Sequence, residues 1–138
     1  MPQQTRIAIA GAAGRMGRTL IAACAETPHL RLAAAVEHAG SAALGSDSGV
    51  LAGLAPNSVP VEADDTLAGG AFDVLIDFTR PAATLAHARA CAAAGRALVI
   101  GTTGLDAGQK DELATLARQV PVVFAPNMSV GVNLCLAL

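Results

Sequence analysis

Tryptophan and tyrosine are missing from the 138 residues, and phenylalanine occurs three times. With so few aromatic plates, the core has to come from small aliphatic side chains. The alanine-rich helical stretches are slender enough to lie close to a sheet, which suits a layered α/β domain. Cysteine is scarce too. Cys24, Cys91 and Cys135 are odd in number, widely spaced and set in apolar surroundings, the pattern of buried reduced thiols in a cytoplasmic protein rather than of a disulfide framework. His29, His38 and His87 lack metal-ligand spacing, so no metal is expected. No apolar run approaches the roughly 20 residues of a membrane span. Residues 7–13 are broken by Gly11 and soon followed by Arg15 and Arg18, unlike a secretory leader. Charged residues make up 14% with a net charge of −2, which gives no electrostatic reason to expect nucleic acid as a partner.

What is present is 53% hydrophobic residues, too many for a disordered chain, in a length that makes one domain. No internal repeat or low-complexity tract stands out. The organising stretch is residues 6–18. Residues 6–10 form a short apolar run ending in glycine, the signature of a buried strand. From Arg15 the apolar residues fall at helical spacing: Met16, Leu20, Ile21, Ala23 and Cys24. Between them, Gly11 allows a tight turn, Gly14 removes a side chain from the path of a pyrophosphate, and Gly17 lets helix and sheet approach. The helix then presents its unpaired N–H groups and positive dipole end to an anion. Arg15 and Arg18 are mildly unfavourable at a helix start unless an anion sits there. The spacing G-x-x-G-x-x-G is one residue longer than the usual dinucleotide fingerprint, and a strand–turn–helix without ligand is the plain alternative.

Further along, strands are expected at residues 30–36, 59–63, 72–78, 97–100 and 120–125, with helices at 81–94 and 106–119 and a helical turn at 64–68. Pro81 suits a first helical turn and Gly95 a helix end. Residues 39–58, rich in Gly, Ser, Ala, Asp and Asn, read as a long irregular connection. The alternation predicts a Rossmann-like doubly wound parallel sheet with right-handed crossovers. Residues 130–138 are apolar and uncapped, which predicts a chain cut inside an element, with 1–128 a dinucleotide-binding domain and 129–138 the start of a connection onward.

Ligands of such sheets bind beyond the carboxyl ends of the strands, near the point where strand order reverses. Glu37, 20 residues past Gly17, is placed to accept hydrogen bonds from an adenosine ribose, unless it simply faces solvent. His38 could lie against adenine or, protonated, partly balance a 2′-phosphate. A carboxylate there repels a 2′-phosphate, so NADH is expected to serve at least as well as NADPH. Phe78, Thr79 and Arg80, with Gly101, Thr102 and Thr103, leave the two strands expected beside the first and could position the nicotinamide and its ribose; Thr79 is equally a helix cap. Ala125, Pro126, Asn127 and Met128 close the same edge, with Asn127 available to a carboxamide or ribose. None of these loops carries a candidate general acid.

Four stretches together, Gly11-Ala-Ala-Gly-Arg-Met-Gly17, Asp77-Phe-Thr-Arg-Pro81, Val99-Ile-Gly-Thr-Thr-Gly104 and Ala125-Pro-Asn-Met-Ser-Val-Gly-Val-Asn133, resemble the nucleotide-binding half of the 4-hydroxy-tetrahydrodipicolinate (dihydrodipicolinate) reductases. The resemblance implies an NADH- or NADPH-dependent oxidoreductase of diaminopimelate and lysine biosynthesis, acting on a small dicarboxylate. It implies dinucleotide contacts from Gly11, Ala12, Ala13, Gly14, Arg15, Met16, Glu37, Gly101, Thr102, Thr103, Ala125, Pro126, Asn127 and Met128, with Thr103 also near substrate. Many members carry Arg where this chain has His38. The family's His-His-x-x-x-Lys and Ser-Gly-Thr segments, which supply catalysis, substrate binding and a tetramer interface, have no counterpart in these residues, so no catalytic residue is expected in this chain. It should bind cofactor, reduce nothing alone, and expose apolar surface that a further domain covers. The competing readings are half of a homoserine or aldehyde dehydrogenase, and a nucleotide- or CoA-binding regulatory module on the same fold.

Overall fold

The computed structural model describes residues 3–125. Six parallel strands form one sheet in the order β3-β2-β1-β4-β5-β6: β1 (Thr5–Ala10), β2 (Leu30–Glu37), β3 (Val61–Ala63), β4 (Val74–Asp77), β5 (Ala97–Ile100) and β6 (Val122–Phe124). The connections carry α1 (Arg15–Glu26), a four-residue α2 (Ser48–Leu51), a 3-10 turn (Asp64–Gly69), α3 (Pro81–Ala94) and α4 (Ala107–Leu116). This is the doubly wound Rossmann-like α/β fold that the alternation predicts. The chain runs outward from β1 through β2 to β3, then returns to β4 on the other side, so strand order reverses beside β1.

The strands have few polar positions because both faces are covered. Ile7, Ile9, Val74, Ile76 and Val99 pack on one face with Leu20, Ile21 and Cys24 of α1. Ala8, Ala10, Leu75, Leu98 and Ile100 pack on the other with Leu85, Ala88 and Cys91 of α3 and Leu113 of α4. The period of two in the strands therefore sorts side chains between two cores. Burial pushes the Cys24 thiol up to about 11 and, with help from the Asp77 charge, the Cys91 thiol to about 12. Both are free, as expected of inert packed thiols; Cys135 lies outside the described residues.

Helix ends follow the sequence. Pro81 occupies the first turn of α3 and Gly95 its left-handed end, at φ 72°. Asp106 caps α4 in a capping box with Gln109. Three expectations change. The strands expected at 59–63, 72–78 and 120–125 are shorter, because only part of each finds ladder partners: 61–63 on β2, 74–77 on β1 and β5, and 122–124 on β5. The expected 106–119 helix stops at Leu116, and the chain turns through Arg118 to Val120 by backbone bonds to Thr115 and Leu116. The connection over 39–58 is less irregular than its composition suggests: Asp47 caps α2 and its carboxylate also accepts the amides of Asn57 and Ser58. Among the described residues, no helix is long and apolar enough to cross a membrane.

Candidate functional site

The glycine loop is held by its own backbone. Gly11 leaves β1 at φ +78°, and a Cβ there would also lie 3.0 Å from Thr79 Cγ2 and 3.1 Å from the Phe78 carbonyl oxygen, so the turn needs glycine on two counts. The amides of Gly11 and Ala12 donate to the Val36 carbonyl, and that of Gly14 to Gly11. Ala13 donates its amide to Glu37 Oε2 at 2.8 Å. The four loop amides are thus engaged within the protein. The N–H groups of Arg15, Met16 and Gly17 in the first turn of α1 are the unpaired ones that every helix start leaves, and no side chain caps them from Gly14. The amides left without a protein partner are accordingly those of the helix start, with the loop as its scaffold. Arg18 turns back, its Nε donating to the Ala13 carbonyl. A Cβ on Gly17 would lie 2.1 Å from the Gly11 carbonyl oxygen and 2.8 Å from Ala12 Cα. The close approach expected of Gly17 is therefore real, but it is to the loop backbone rather than to the body of the sheet.

At the point where strand order reverses lies a cavity of about 560 Å³ lined by residues from five segments. Gly11 and Gly14 come from the loop after β1; Val36, Glu37 and His38 from the end of β2; Phe78, Thr79 and Arg80 from the loop after β4. Of the expected site residues these lie together. The wall is completed by Asp64, Ala83 and His87, which the loops-only reading missed. Ala12 is buried beneath the loop, Arg15 is exposed, and Met16 packs partly into the core under α1.

The β5 loop sits differently from its expected place, since β5 pairs with β4 and not with β1. Gly101 is buried because the Phe78 ring occupies the space a side chain would need: a Cβ there would fall 2.0 Å from Phe78 Cε1. Thr102 is buried, with its hydroxyl 2.7 Å from that of Thr84 and accepting the Thr79 amide at 3.0 Å. Thr103 is exposed. Ala125 is buried and donates its amide to the Ile100 carbonyl; Pro126, Asn127 and Met128 lie outside the described residues. The Thr79 hydroxyl does not cap α3, whose N-cap is Arg80 without a side-chain bond. It donates instead to Asp77 Oδ1 at 2.5 Å.

The signal for the missed residues was on α3. Thr84, His87, Ala88 and Cys91 fall at i, i+3, i+4 and i+7 and are all buried. Two polar side chains on the inward stripe of a helix need polar partners, and Asp77, fully buried at the end of β4, is the facing group. Among the described residues no cluster has the makings of a metal site.

Over residues 5–128 the sequence matches the family described as dihydrodipicolinate reductase, N-terminus. The chain belongs to this family. The fold is similar to the dipicolinate-bound dihydrodipicolinate reductase from Paenisporosarcina sp. TG-14, at 26% identity and a TM-score of 0.71, over 93% of this chain and 49% of that one. It is also similar to aspartate semialdehyde dehydrogenase II from Vibrio cholerae, at 17% identity and a TM-score of 0.66, over 92% of this chain and 43% of that one. A third likeness, at 20% identity and a TM-score of 0.67, is to myo-inositol 2-dehydrogenase from Lactobacillus plantarum, over 89% of this chain and 36% of that one. The last two bear on the fold alone. The chain spans about half the length of the solved reductase. The dihydrodipicolinate reductase family is one of oxidoreductases, and this chain carries its nucleotide-binding N-terminal domain.

Proposed function

We propose that the crevice binds NADH or NADPH and that the chain is the cofactor half of a reductase that passes hydride to 4-hydroxy-tetrahydrodipicolinate in diaminopimelate and lysine biosynthesis. The observation that carries the reading is the coupling of Glu37 to the glycine loop. One carboxylate, at the end of the strand next to β1, holds the Ala13 amide while lining the same cavity as Gly11 and Gly14. That arrangement suits a ribose beside a diphosphate: the helix start offers N–H groups to the anion, and the acid one strand over accepts from sugar hydroxyls. Gly14, exposed at the cavity edge, leaves the backbone open to close approach.

In this reading Gly11, Gly14 and the Arg15–Gly17 amides hold the diphosphate. Glu37 and His38 take the adenosine end, while Phe78, Thr79 and Arg80 border the same crevice. Gly101, Thr102 and the exposed Thr103 are assigned to the nicotinamide end, where Thr103 also meets substrate; Ala125 and, by the family resemblance alone, Pro126, Asn127 and Met128 are assigned to the same end. The nicotinamide supplies the hydride; this chain's residues bind, orient and exclude water. The substrate is a small cyclic dicarboxylate, a class suggested by the dipicolinate in the Paenisporosarcina reductase, and its pocket, proton donor and a homotetramer interface belong to a C-terminal domain beyond these 138 residues.

NADH titrated into the protein, with binding mapped by amide chemical shifts and coenzyme A run in parallel, tests the reading. With no tryptophan in the chain, NADH fluorescence is read without interference. Shifts centred on residues 11–17 and Glu37 are expected. Binding of coenzyme A in preference to NADH would favour a regulatory module, and no NADH binding at millimolar concentration would overturn the proposal.

A further inference from the structure

Asp77 ends β4 with no solvent exposure, and both of its carboxylate oxygens are taken. Oδ1 accepts the Thr79 hydroxyl at 2.5 Å and Oδ2 meets His87 Nδ1 at 2.7 Å. The other ring nitrogen, Nε2, lies 2.9 Å from Oδ2 of Asp64 on the 3-10 turn, a carboxylate that lines the crevice. A neutral imidazole has one N–H, so it would donate to one carboxylate and turn a lone pair toward the other. An imidazolium donates to both. Burial is the largest single influence and pulls the ring's pKa down, but the hydrogen bonds and charges of Asp77 and Asp64 together hold it above the ordinary 6.5.

The remaining titratable groups nearby do not supply a competing cation inside the cluster. Cys91, one turn along α3, stays a neutral thiol. Glu37, His38 and Arg80 line the same crevice as Asp64 and His87, but among the described residues the ion pairs of the cluster are those of His87 with Asp64 and Asp77. Arg89 and Glu112 pair with each other between α3 and α4 at the surface, and β5 contributes only Ala97, Leu98, Val99 and Ile100. From Asp77 the chain of contacts continues through Thr79, whose amide donates to Thr102 Oγ1, to the Thr84 and Thr102 hydroxyls. His87, itself part of the crevice wall, thus links Asp64 to the hydroxyl set that holds the loops after β4 and β5.

We infer that His87 is a positioning residue for the dinucleotide, its doubly donating ring holding Asp64 neutralised at the crevice and, through Asp77 and Thr79, fixing the loop after β4. The inference rests on the reading that the crevice takes a nicotinamide dinucleotide. When the ring loses its proton, one carboxylate loses its donor. Asp64, 30% exposed against zero for Asp77, is the one that can turn to water. It then stands as an unpaired negative charge in a cavity that must receive a diphosphate. Because the folded-state pKa is raised, the stabilising contact is complete below 6.5 and is lost as pH rises through the folded value.

Two measurements on the purified protein test this. Imidazole 15N spectra of [15N]histidine-labelled protein without ligand should show His87 keeping both nitrogens protonated at pH 6.5 and losing its second proton only above the pH at which free histidine does. Titration of NADH between pH 6.5 and 9 should show Kd rising about three- to tenfold as His87 titrates. His87→Gln should bind about as weakly as the deprotonated protein, with a flat pH profile. Asp64→Asn, which leaves no charge to unmask, should keep its affinity at high pH. A neutral single tautomer at pH 6.5, or normal NADH binding with no pH dependence, or a high-pH loss that persists in Asp64→Asn, overturns the inference and leaves the cofactor reading standing. No NADH binding at any pH removes both.

Discussion

At the scale of single residues the most informative positions are those where one side chain more or less decides whether a diphosphate can be received. Gly17→Ala would place a methyl 2.1 Å from the Gly11 carbonyl oxygen, on rigid backbone rather than on a side chain that can turn away. The helix must move off the loop, at a cost of about 1–3 kcal/mol. Thermal unfolding should register that loss, and NADH affinity should fall with it; an unchanged melting temperature would refute the packing argument. The glycine triplet was legible because its roles are backbone roles, written directly in the sequence. What the triplet could not tell was that Gly11, Ala12, Ala13 and Gly14 spend their amides internally, since that depends on where β2 lies. Glu37 and His38 decide the other end of the crevice. With Glu37 at the end of β2 lining it and tied to the glycine loop, a 2′-phosphate placed beside the adenosine ribose meets a carboxylate. The dissociation constant for NADPH is expected to be no lower than that for NADH. A tenfold or greater preference for NADPH in parallel titrations would reverse this assignment.

At the scale of elements, sequence pattern and structure agree where one physical rule dominates and part company where two compete. The helix over Pro81–Ala94 was bounded by a proline and a glycine with opposite positional preferences, and it runs between them. Inside it, the apolar count disguised the stripe of Thr84, His87 and Cys91, because alanine is compatible with every face. The segment over 39–58 shows the converse: its composition reads as irregular chain, while the order comes from one carboxylate. Asp47 accepts the amides of Val50, Asn57 and Ser58, and these bonds, that of Val50 foremost, hold its pKa below the ordinary carboxylate value. A depressed folded pKa means the contribution is present above the unfolded value and is lost as pH falls through the folded one. Hydrogen exchange at Val50, Asn57 and Ser58 should therefore be slow near neutrality and quicken relative to the sheet as pH drops below the usual carboxylate range. Asp47→Ala should abolish that protection at all pH values while leaving the amides of β1 and β4 protected. Equal protection in the variant would show that the segment is ordered by something other than Asp47.

At the scale of the whole molecule, the proposed reading gives the crevice a cofactor to hold and leaves the reduction to be completed elsewhere. Hydride transfer needs an acceptor in its own pocket and a proton donor within reach of it. Among the described residues the ionisable side chains lining the crevice are Glu37, His38, Asp64, Arg80 and His87. Glu37 is tied to the Ala13 amide and both His87 nitrogens face carboxylates, so neither stands ready to give a proton to a substrate. The sheet also leaves Val123 and Phe124 of β6, an outer strand, 39% and 41% exposed, apolar surface of the kind that associating segments cover. Binding and turnover should accordingly separate. NADH at a hundred times its dissociation constant should raise the stability of the 138-residue chain by about 2.7 kcal/mol, the mass-action value for a ligand that binds only the folded state. The same preparation given NADH and 4-hydroxy-tetrahydrodipicolinate should show no oxidation of NADH above the uncatalysed rate. Measurable turnover would mean that a proton source and an acceptor pocket exist within these residues, and the division of labour between a cofactor half and a substrate half would have to be abandoned.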